Sequence, residues 1–205
     1  MACDVLLIAI GVTPETALAE ASGLEVDNGV VVDEYLRTTD PSIFAAGDAS
    51  CIRRAGMERP LRLECWKNAE DQGDIVAKNM LGIKTAYQTV PWMWSDQFDK
   101  VVQAAGLPSP DQTIALRPLG MGALVAFHYD APGMLAAVSG YGPIGLVAKA
   151  VRIGSVMLQR GISPTPEAVR AASDLRELIQ ARQEHARSSD FSIAVGYGAS
   201  QRPTS

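Results

Sequence analysis

The 205-residue sequence has little of the material from which metal centres and disulfide scaffolds are built. It contains only two histidines, and its three cysteines, Cys3, Cys51 and Cys65, form no C-x-x-C pair. Zinc sites need clustered cysteine and histidine ligands, so the composition argues against a resident metal. An odd number of scattered cysteines also argues against a disulfide framework and is typical of reduced thiols in a cytoplasmic protein.

Long apolar runs and an excess of positive charge are also missing. The apolar opening, residues 5–10, is too short for a transmembrane helix or a signal peptide. Eighteen Lys and Arg against 23 Asp and Glu give a net charge of -5, which argues against nucleic-acid binding. Residues 1–143 hold 10 basic and 18 acidic side chains, whereas residues 144–205 hold 8 and 5. We therefore expect a soluble protein without nucleic-acid or membrane partners, whose C-terminal third suits an acidic partner.

The first part of the chain has the pattern of an α/β fold. The apolar run at residues 5–10 predicts a strand buried on both faces of a parallel sheet, and Thr13 with Pro14 predicts a helix that ends near residue 21. Such a strand needs neighbours, which predicts that the chain begins in the middle of a domain. The other elements predicted here are strands at residues 30–32 and 43–46, an irregular loop at 51–62, and a helix at 65–81 closed by Gly82.

From Trp92 onward, the pattern changes to short strands separated by Gly and Pro, which predicts an antiparallel sheet followed by two helices, an α+β arrangement. Residues 161–166 carry the stop and restart signals between those helices. The predicted strands cover residues 92–95, 100–105, 113–116, 123–129 and 135–141, and the predicted helices cover residues 144–159 and 166–181.

One glycine motif, GYGPIG at residues 140–145, matches G-x-G-x-x-G between a predicted strand and a predicted helix. A dinucleotide site needs a second parallel strand after that helix, with an acidic residue at its end. Here the helix leads into another helix, so the motif is not interpreted as a nucleotide site.

Residues 39–48, TDPSIFAAGD, resemble the second flavin fingerprint of flavoprotein reductases with two dinucleotide-binding domains. The segment combines a short apolar strand with Gly47, which allows close backbone approach, and an acid at the strand end, where such sheets bind ligands. In that family the acid accepts a hydrogen bond from a ribityl hydroxyl of FAD, a role that the resemblance gives to Asp48. A surface Gly-Asp turn is the alternative interpretation of these two residues.

Further segments extend the resemblance to the ferredoxin and rubredoxin reductases that serve oxygenases. Residues 6–14 resemble the last strand of the NAD(H)-binding domain, and residues 63–73 resemble the start of the helix that faces the flavin. Residues 91–97, PWMWSDQ, resemble the opening of the C-terminal domain and are the most specific segment, while residues 174–179 resemble its last helix. The family's two glycine fingerprints are absent and its members are about twice as long, so the chain resembles their C-terminal half.

The resemblance implies a remnant of a two-dinucleotide-binding-domain flavoprotein fold, followed by a C-terminal antiparallel sheet with two helices. The implied domains are the end of the NAD(H)-binding domain (1–22), the C-terminal segment of the FAD-binding domain (23–82), a linker (83–91), the reductase C-terminal domain (92–182) and a flexible tail (183–205).

The resemblance also implies an oxidoreductase that passes electrons from NAD(P)H through FAD to a ferredoxin-type [2Fe-2S] protein or a rubredoxin serving an oxygenase. Hydride transfer to a flavin needs no acid or base from the protein, so no catalytic residue is assigned, and this chain alone is expected to be inactive. The alternative is a non-catalytic fragment or interaction module that docks a ferredoxin or an oxygenase. Retained Gly47, Asp48 and Trp66 favour the enzyme, whereas the absent glycine fingerprints favour the module.

Several cofactor contacts follow from the resemblance. The helix N-terminus at Cys65 and Trp66 would face the pyrimidine edge of the flavin, where helix amides favour negative charge. Glu64 either contacts the nicotinamide side or is an acid at the helix N-terminus. Gly11 and Val12 either line the NAD(H) cleft through their backbone or form a plain strand-end turn.

Two tryptophans, Trp92 and Trp94, alternate on one predicted strand and therefore point to the same face. One of them is expected in the core. The other, Trp94, either packs in the same way or lies against the flavin near the docking surface of the partner.

Four basic residues are candidates for docking an acidic ferredoxin. Arg59 and Arg176 match positions where relatives carry basic docking residues, and Lys149 and Arg152 face one way because of their i, i+3 spacing. For each of them, a solvated surface charge is the alternative.

Overall fold

The computed structural model describes residues 3–54 and 59–180. The chain forms two compact units, with the boundary between Thr89 and Val90. Each unit has its own sheet and its own hydrophobic core. Within the described residues, every helix is too short or too polar to cross a lipid bilayer.

The first unit contains a two-stranded parallel sheet, β1 (Val30–Val32) and β2 (Ser50–Ile52), in which Val31 pairs with Cys51. All six strand residues are buried. The small core of this unit also contains Leu36 and Tyr87. The prediction of β1 is confirmed, but β2 lies partly in a segment predicted as a loop.

Two predicted strands of the first unit are not formed. Residues 5–10 pair with no strand of the described chain, and their side chains are exposed, with Leu7 at 87%. This prediction was wrong because a parallel strand exists only beside a neighbour, and the described residues supply none. At residues 43–46, only Phe44 forms a β-bridge, to Arg37.

The first helix, α1 (Ala17–Ala21), starts later than predicted. The Ala17 amide donates to the Glu15 carboxylate at 3.0 Å, and the Thr16 hydroxyl donates to Glu20 at 2.7 Å. These local hydrogen bonds fix the start of the helix after Thr16, so the predicted N-cap at Thr13 was wrong.

The helix predicted at residues 65–81 is confirmed as α2 (Trp66–Met80), with Cys65 as its N-cap residue. Its end has the geometry of a Schellman motif, in which the Ile83 amide donates to the Lys78 carbonyl at 2.9 Å. Gly82 has φ +80°, a left-handed conformation that costs glycine little. The C-terminal end of the long helix is therefore fixed by local sequence.

The second unit contains five strands: β3 (Trp92–Gln97), β4 (Lys100–Gly106), β5 (Thr113–Gly120), β6 (Ala123–Tyr129) and β7 (Leu135–Gly142). They form an antiparallel sheet in the order β3-β4-β7-β6-β5, which confirms the predicted α+β arrangement. Helix α3 (Ile144–Gln159) lies against β4, β6 and β7, and α4 (Pro166–Ala171) lies against β5.

Glycines of the GYGPIG motif serve the packing of this unit. A Cβ atom at Gly140 would lie 2.9 Å from Cγ1 of Val147, so glycine lets α3 approach β7. A Cβ atom at Gly142 would lie 2.5 Å from Cβ of Ala123 on the neighbouring strand. Close packing accounts for these two glycines without a nucleotide.

The helix predicted at residues 166–181 is interrupted. It ends at Ala171 because Ala172 adopts φ -57° and ψ 133°, and helical structure resumes only at residues 177–180. The guanidinium of Arg117 donates to the carbonyl of Val169 at 2.7 Å, which satisfies one of the terminal acceptors. Residue 181 and the predicted tail, 183–205, lie outside the described residues.

Candidate functional site

The fingerprint segment at residues 39–48 ends in a tight 3-10 turn, Gly47–Ala49. Gly47 has φ +71°, a conformation that favours glycine, and lies against the first turns of α2, with Ala69 Cβ 3.5 Å from the position of an added Cβ. Asp48 is exposed in this turn. The fold therefore presents an acid to solvent beside the beginning of a helix.

A buried polar network fixes this turn to α2. Gln72 is 2% exposed, and its Oε1 accepts hydrogen bonds from the Gly47 amide at 2.7 Å and from the Ser50 hydroxyl at 2.8 Å. Its Nε2 donates to Oδ1 of Asn68 at 3.1 Å. One glutamine thus holds the backbone of the Gly-Asp turn.

Asn68 extends the network to the segment before the helix. Its Nδ2 donates to the Leu63 carbonyl at 3.0 Å, and its Oδ1 also accepts a hydrogen bond from the Tyr87 hydroxyl at 2.7 Å. The two segments that resemble flavin-contacting parts of the reductases are therefore joined by Asn68 and Gln72. Asn68 and Gln72 lie four residues apart and therefore share one face of α2, but only the fold shows that this face is buried.

Burial raises the pKa of the Tyr87 phenol to about 12, well above its usual value. Above about pH 10 the unfolded chain releases this proton while the folded chain keeps it, so folding stability falls as pH rises. We expect a loss of about 1 kcal/mol from Tyr87 between about pH 9 and pH 11. Urea unfolding of the wild type and Tyr87→Phe checks this: the pH slope should be shallower in the variant, and equal slopes would contradict the prediction.

The start of α2 carries the other predicted contacts. Trp66 is 67% exposed, and Cys65 is partly buried at the N-cap. The Glu64 carboxylate forms an ion pair with the guanidinium of Arg62. Arg62 Nη1 also donates to the Asp48 carbonyl at 3.3 Å, which links this segment to the Gly-Asp turn. The sequence pattern does not identify Arg62 as part of this site, because its contacts with Glu64 and Asp48 are known only from the fold.

The predicted NAD(H)-side residues lie outside this cluster. Gly11 has φ +106°, and no atom lies within 4 Å of the position of an added Cβ; Val12 is exposed. Because the strand predicted at residues 5–10 is not formed, their contact with NAD(H) stays a prediction.

In the second unit, the two tryptophans of β3 differ in burial. Trp92 packs against the core, whereas Trp94 is 43% exposed on this edge strand. One tryptophan therefore belongs to the core as expected, and the contact of Trp94 with flavin stays a prediction.

The candidate docking residues are all exposed: Arg59 in the first unit and Lys149, Arg152 and Arg176 in the second. Arg176 is paired with Asp174, and its hydrogen bonds lower the pKa of that carboxyl to about 2.

Lys149 lies at a cavity of about 190 Å³ whose other lining residues include Leu146, Ile153 and Leu175. A basic group beside an apolar recess suits a protein partner. The docking role of the four basic residues stays a prediction.

Two family models match the chain. The pyridine nucleotide-disulphide oxidoreductase model matches residues 1–73, and the reductase C-terminal model matches residues 92–179. The chain is 45% identical over 114 residues to the ferredoxin–NAD(+) reductase component of the anthranilate 1,2-dioxygenase system of Burkholderia cepacia, a match that covers 56% of this chain and 28% of the relative.

Solved structures show the same similarity. The ferredoxin reductase for the CYP199A2 system from Rhodopseudomonas palustris matches with a TM-score of 0.76 and 32% identity, over 85% of this chain and 43% of that chain. The covalent complex of putidaredoxin reductase with putidaredoxin matches with a TM-score of 0.74 and 29% identity, over 87% of this chain and 42% of that chain. The chain thus spans less than half the length of these relatives. Its two matched segments therefore resemble, in order, the pyridine nucleotide-disulphide oxidoreductases and the reductase C-terminal domain, as in the ferredoxin reductases to which it is similar.

Proposed function

We propose that this chain is part of an FAD-dependent oxidoreductase that passes electrons from NAD(P)H to a ferredoxin-type iron–sulfur protein. The observation that carries the proposal is the cluster formed by the Gly47–Ala49 turn and the start of α2, which Gln72 and Asn68 hold together. The names of the relatives support the same activity, since they include a ferredoxin–NAD(+) reductase component and a reductase in complex with putidaredoxin.

The residues of the cluster fit one part of an FAD molecule. The exposed Asp48 carboxylate would accept a hydrogen bond from a sugar-alcohol hydroxyl, and Gly47 has no side chain to keep the ligand away from the backbone. The amides at the N-terminus of α2, near Cys65, would stabilise negative charge on the flavin ring. Bound FAD would supply the hydride and electron-transfer chemistry.

The domain assignment follows from this proposal. Residues 1–22 would complete an NAD(H)-binding domain, 23–82 would form the last segment of an FAD-binding domain, and 92–182 would be the reductase C-terminal domain. The match of the first family model to residues 1–73 and of the second to residues 92–179 supports this order.

The partner is expected to be acidic. The candidate docking residues Arg59, Lys149, Arg152 and Arg176 carry positive charge at the surface, and complementary charge speeds and orients the encounter of two proteins. A [2Fe-2S] ferredoxin is the first candidate partner, and a rubredoxin is the second.

The role of Asp48 is tested by titrating the purified chain with FAD. We expect Asp48→Ala to weaken FAD binding by about tenfold or more, because hydrogen bonds to charged groups contribute about 1.5–3 kcal/mol. Quenching of flavin fluorescence and retention of the visible flavin band after desalting are the measurements. The matched control is Asp74→Ala, an exposed acid on α2, which should bind FAD like the wild type.

Two outcomes would contradict the proposal. If the wild-type chain binds no FAD, the non-catalytic fragment or docking module becomes the better interpretation of this chain. If Asp48→Ala binds FAD as the wild type does, the Gly-Asp turn is only a surface turn.

A further inference from the structure

We propose that Arg62 is the positioning residue of the cluster formed by the Gly47–Ala49 turn and the start of α2, because one guanidinium holds both the Asp48 turn and Glu64. The inference rests on the proposed function only where it concerns FAD. The arrangement of the two segments is a property of the chain itself and is measurable without a cofactor.

The contacts of Arg62 join two segments that are separated in the sequence. Its Nη1 donates to the Asp48 carbonyl at 3.3 Å, and its Nη2 pairs with the Glu64 carboxylate. Asp48 belongs to the fingerprint turn, and Glu64 directly precedes the N-cap of α2. A planar guanidinium fork makes both contacts at once, which a lysine ammonium reproduces poorly.

The side chain of Arg62 is largely buried, with 9% of its surface exposed. Burying a charge is costly unless the charge is paired, so its contacts are needed to keep the guanidinium inside. Its Nε, also buried, has no hydrogen-bond partner within the described residues, which leaves the two terminal nitrogens to make the contacts. The pairing with Glu64 therefore controls where that carboxylate lies.

The backbone and the stem of Arg62 are fixed as well. The neighbouring Leu61 exchanges two hydrogen bonds of 2.9 Å with Ile52 at the end of β2. Gly29 leaves room for the stem, since an added Cβ would lie 3.1 Å from Cδ of Arg62 and Gly29 has φ +137°. The guanidinium is thus placed by the sheet on one side and by its two partners on the other.

Glu64 consequently has a defined orientation before any ligand is present. An acid held by a buried arginine has fewer rotamers to lose when it meets a ligand, which is the benefit of preorganisation. The same contact restrains the Asp48 turn, so a single substitution is expected to loosen both segments together.

Hydrogen–deuterium exchange of the full chain without FAD tests this role. In Arg62→Met, which keeps the length of the stem, we expect amides of residues 47–50 and 64–67 to exchange about tenfold faster, since both segments lose a tether. Arg62→Lys should restore part of the protection. Glu64→Gln should accelerate exchange at residues 64–67 but leave residues 47–50 close to the wild type, because the Asp48 contact persists.

The matched control is Arg53→Met. Arg53 also pairs with a carboxylate, Glu25, in the same unit, but both side chains are exposed. This variant should leave exchange at residues 47–50 and 64–67 unchanged. Unchanged exchange at both segments in Arg62→Met would overturn the proposal, and so would faster exchange spread equally over β1 and the C-terminal half of α2, which would mean a general loss of stability.

FAD titration of the same variants separates this inference from the proposed function. If the wild type binds FAD, Arg62→Met should bind it about tenfold more weakly and Arg53→Met as the wild type does. Equal affinity of Arg62→Met and the wild type would overturn the link between Arg62 and the cofactor. If the wild type binds no FAD, the proposed function fails for this chain, while the exchange experiment still decides the role of Arg62.

Discussion

Replacing Gln72 by leucine is expected to lower the free energy of unfolding of the first unit by about 2 kcal/mol. The substitution removes the acceptor of the partly buried Gly47 amide, whereas the buried Ser50 hydroxyl keeps the Gly47 carbonyl as its acceptor. A donor left without a partner inside the protein costs about 1–3 kcal/mol, and a leucine side chain cannot replace the lost acceptor. Native-state hydrogen exchange of the amides in β1 measures the change.

The control for this variant is an exposed position on the same helix. Asp74→Ala should change stability by less than about 0.5 kcal/mol, because its side chain is at the surface of α2. If Gln72→Leu is as stable as Asp74→Ala, the network does not hold the Gly-Asp turn. A second readout is FAD binding, which should weaken in Gln72→Leu because the turn that carries Asp48 is released.

In the second unit, the same substitution at two glycines of one helix is expected to have opposite effects. Gly154→Ala should destabilise this unit by about 2–3 kcal/mol, because an added Cβ would lie 2.6 Å from Cγ2 of Val138 in the core. Gly145→Ala should stabilise it by up to about 1 kcal/mol, since alanine favours helix and nothing lies within 4 Å of its Cβ.

Hydrogen exchange at Phe127 and Val138, both fully buried in this core, measures the two changes. A destabilisation of similar size in both variants would mean that contact with Val138 on β7 does not set the cost. Stabilisation by Gly154→Ala would show that α3 moves away from the sheet at little cost.

The second unit was predicted well because its signals are local. Alternating apolar residues between Gly and Pro mark each strand, and the strand at residues 123–129 and the helix at 144–159 have the predicted bounds. The second helix was overextended, since its interruption after Ala171 depends on local conformation that helical periodicity does not report.

The first unit was predicted less well because its strands depend on partners. The run at residues 5–10 is as apolar as a buried strand, yet it forms no ladder in the described chain. Conversely, Ser50–Ile52 forms a strand because it pairs with Val30–Val32, about 20 residues away. Parallel pairing is a long-range contact, and short apolar runs alone do not report it.

The candidate site also contains residues that the sequence identified and residues that only the structure revealed. The motif at residues 39–48 and the start of α2 were recognisable from the sequence, and the structure places both in the first unit. Gln72, Asn68 and Arg62 were not recognisable as parts of the site. Each acts through a buried contact with another segment, and a polar residue looks the same in sequence whether it is buried or solvated.

The sequence by itself determined the kind and order of most elements and the resemblance to a reductase family, which singled out Gly47, Asp48 and Trp66. Hydrophobic periodicity and turn residues act over a few neighbouring residues, so helices, strands and turns can be predicted from the sequence. Only the tertiary structure decided which strands pair, which glycines permit close packing, and that Gln72 and Arg62 hold the Asp48 turn. Those outcomes depend on burying polar groups with their partners, and the free energy of that burial is set by residues distant in sequence.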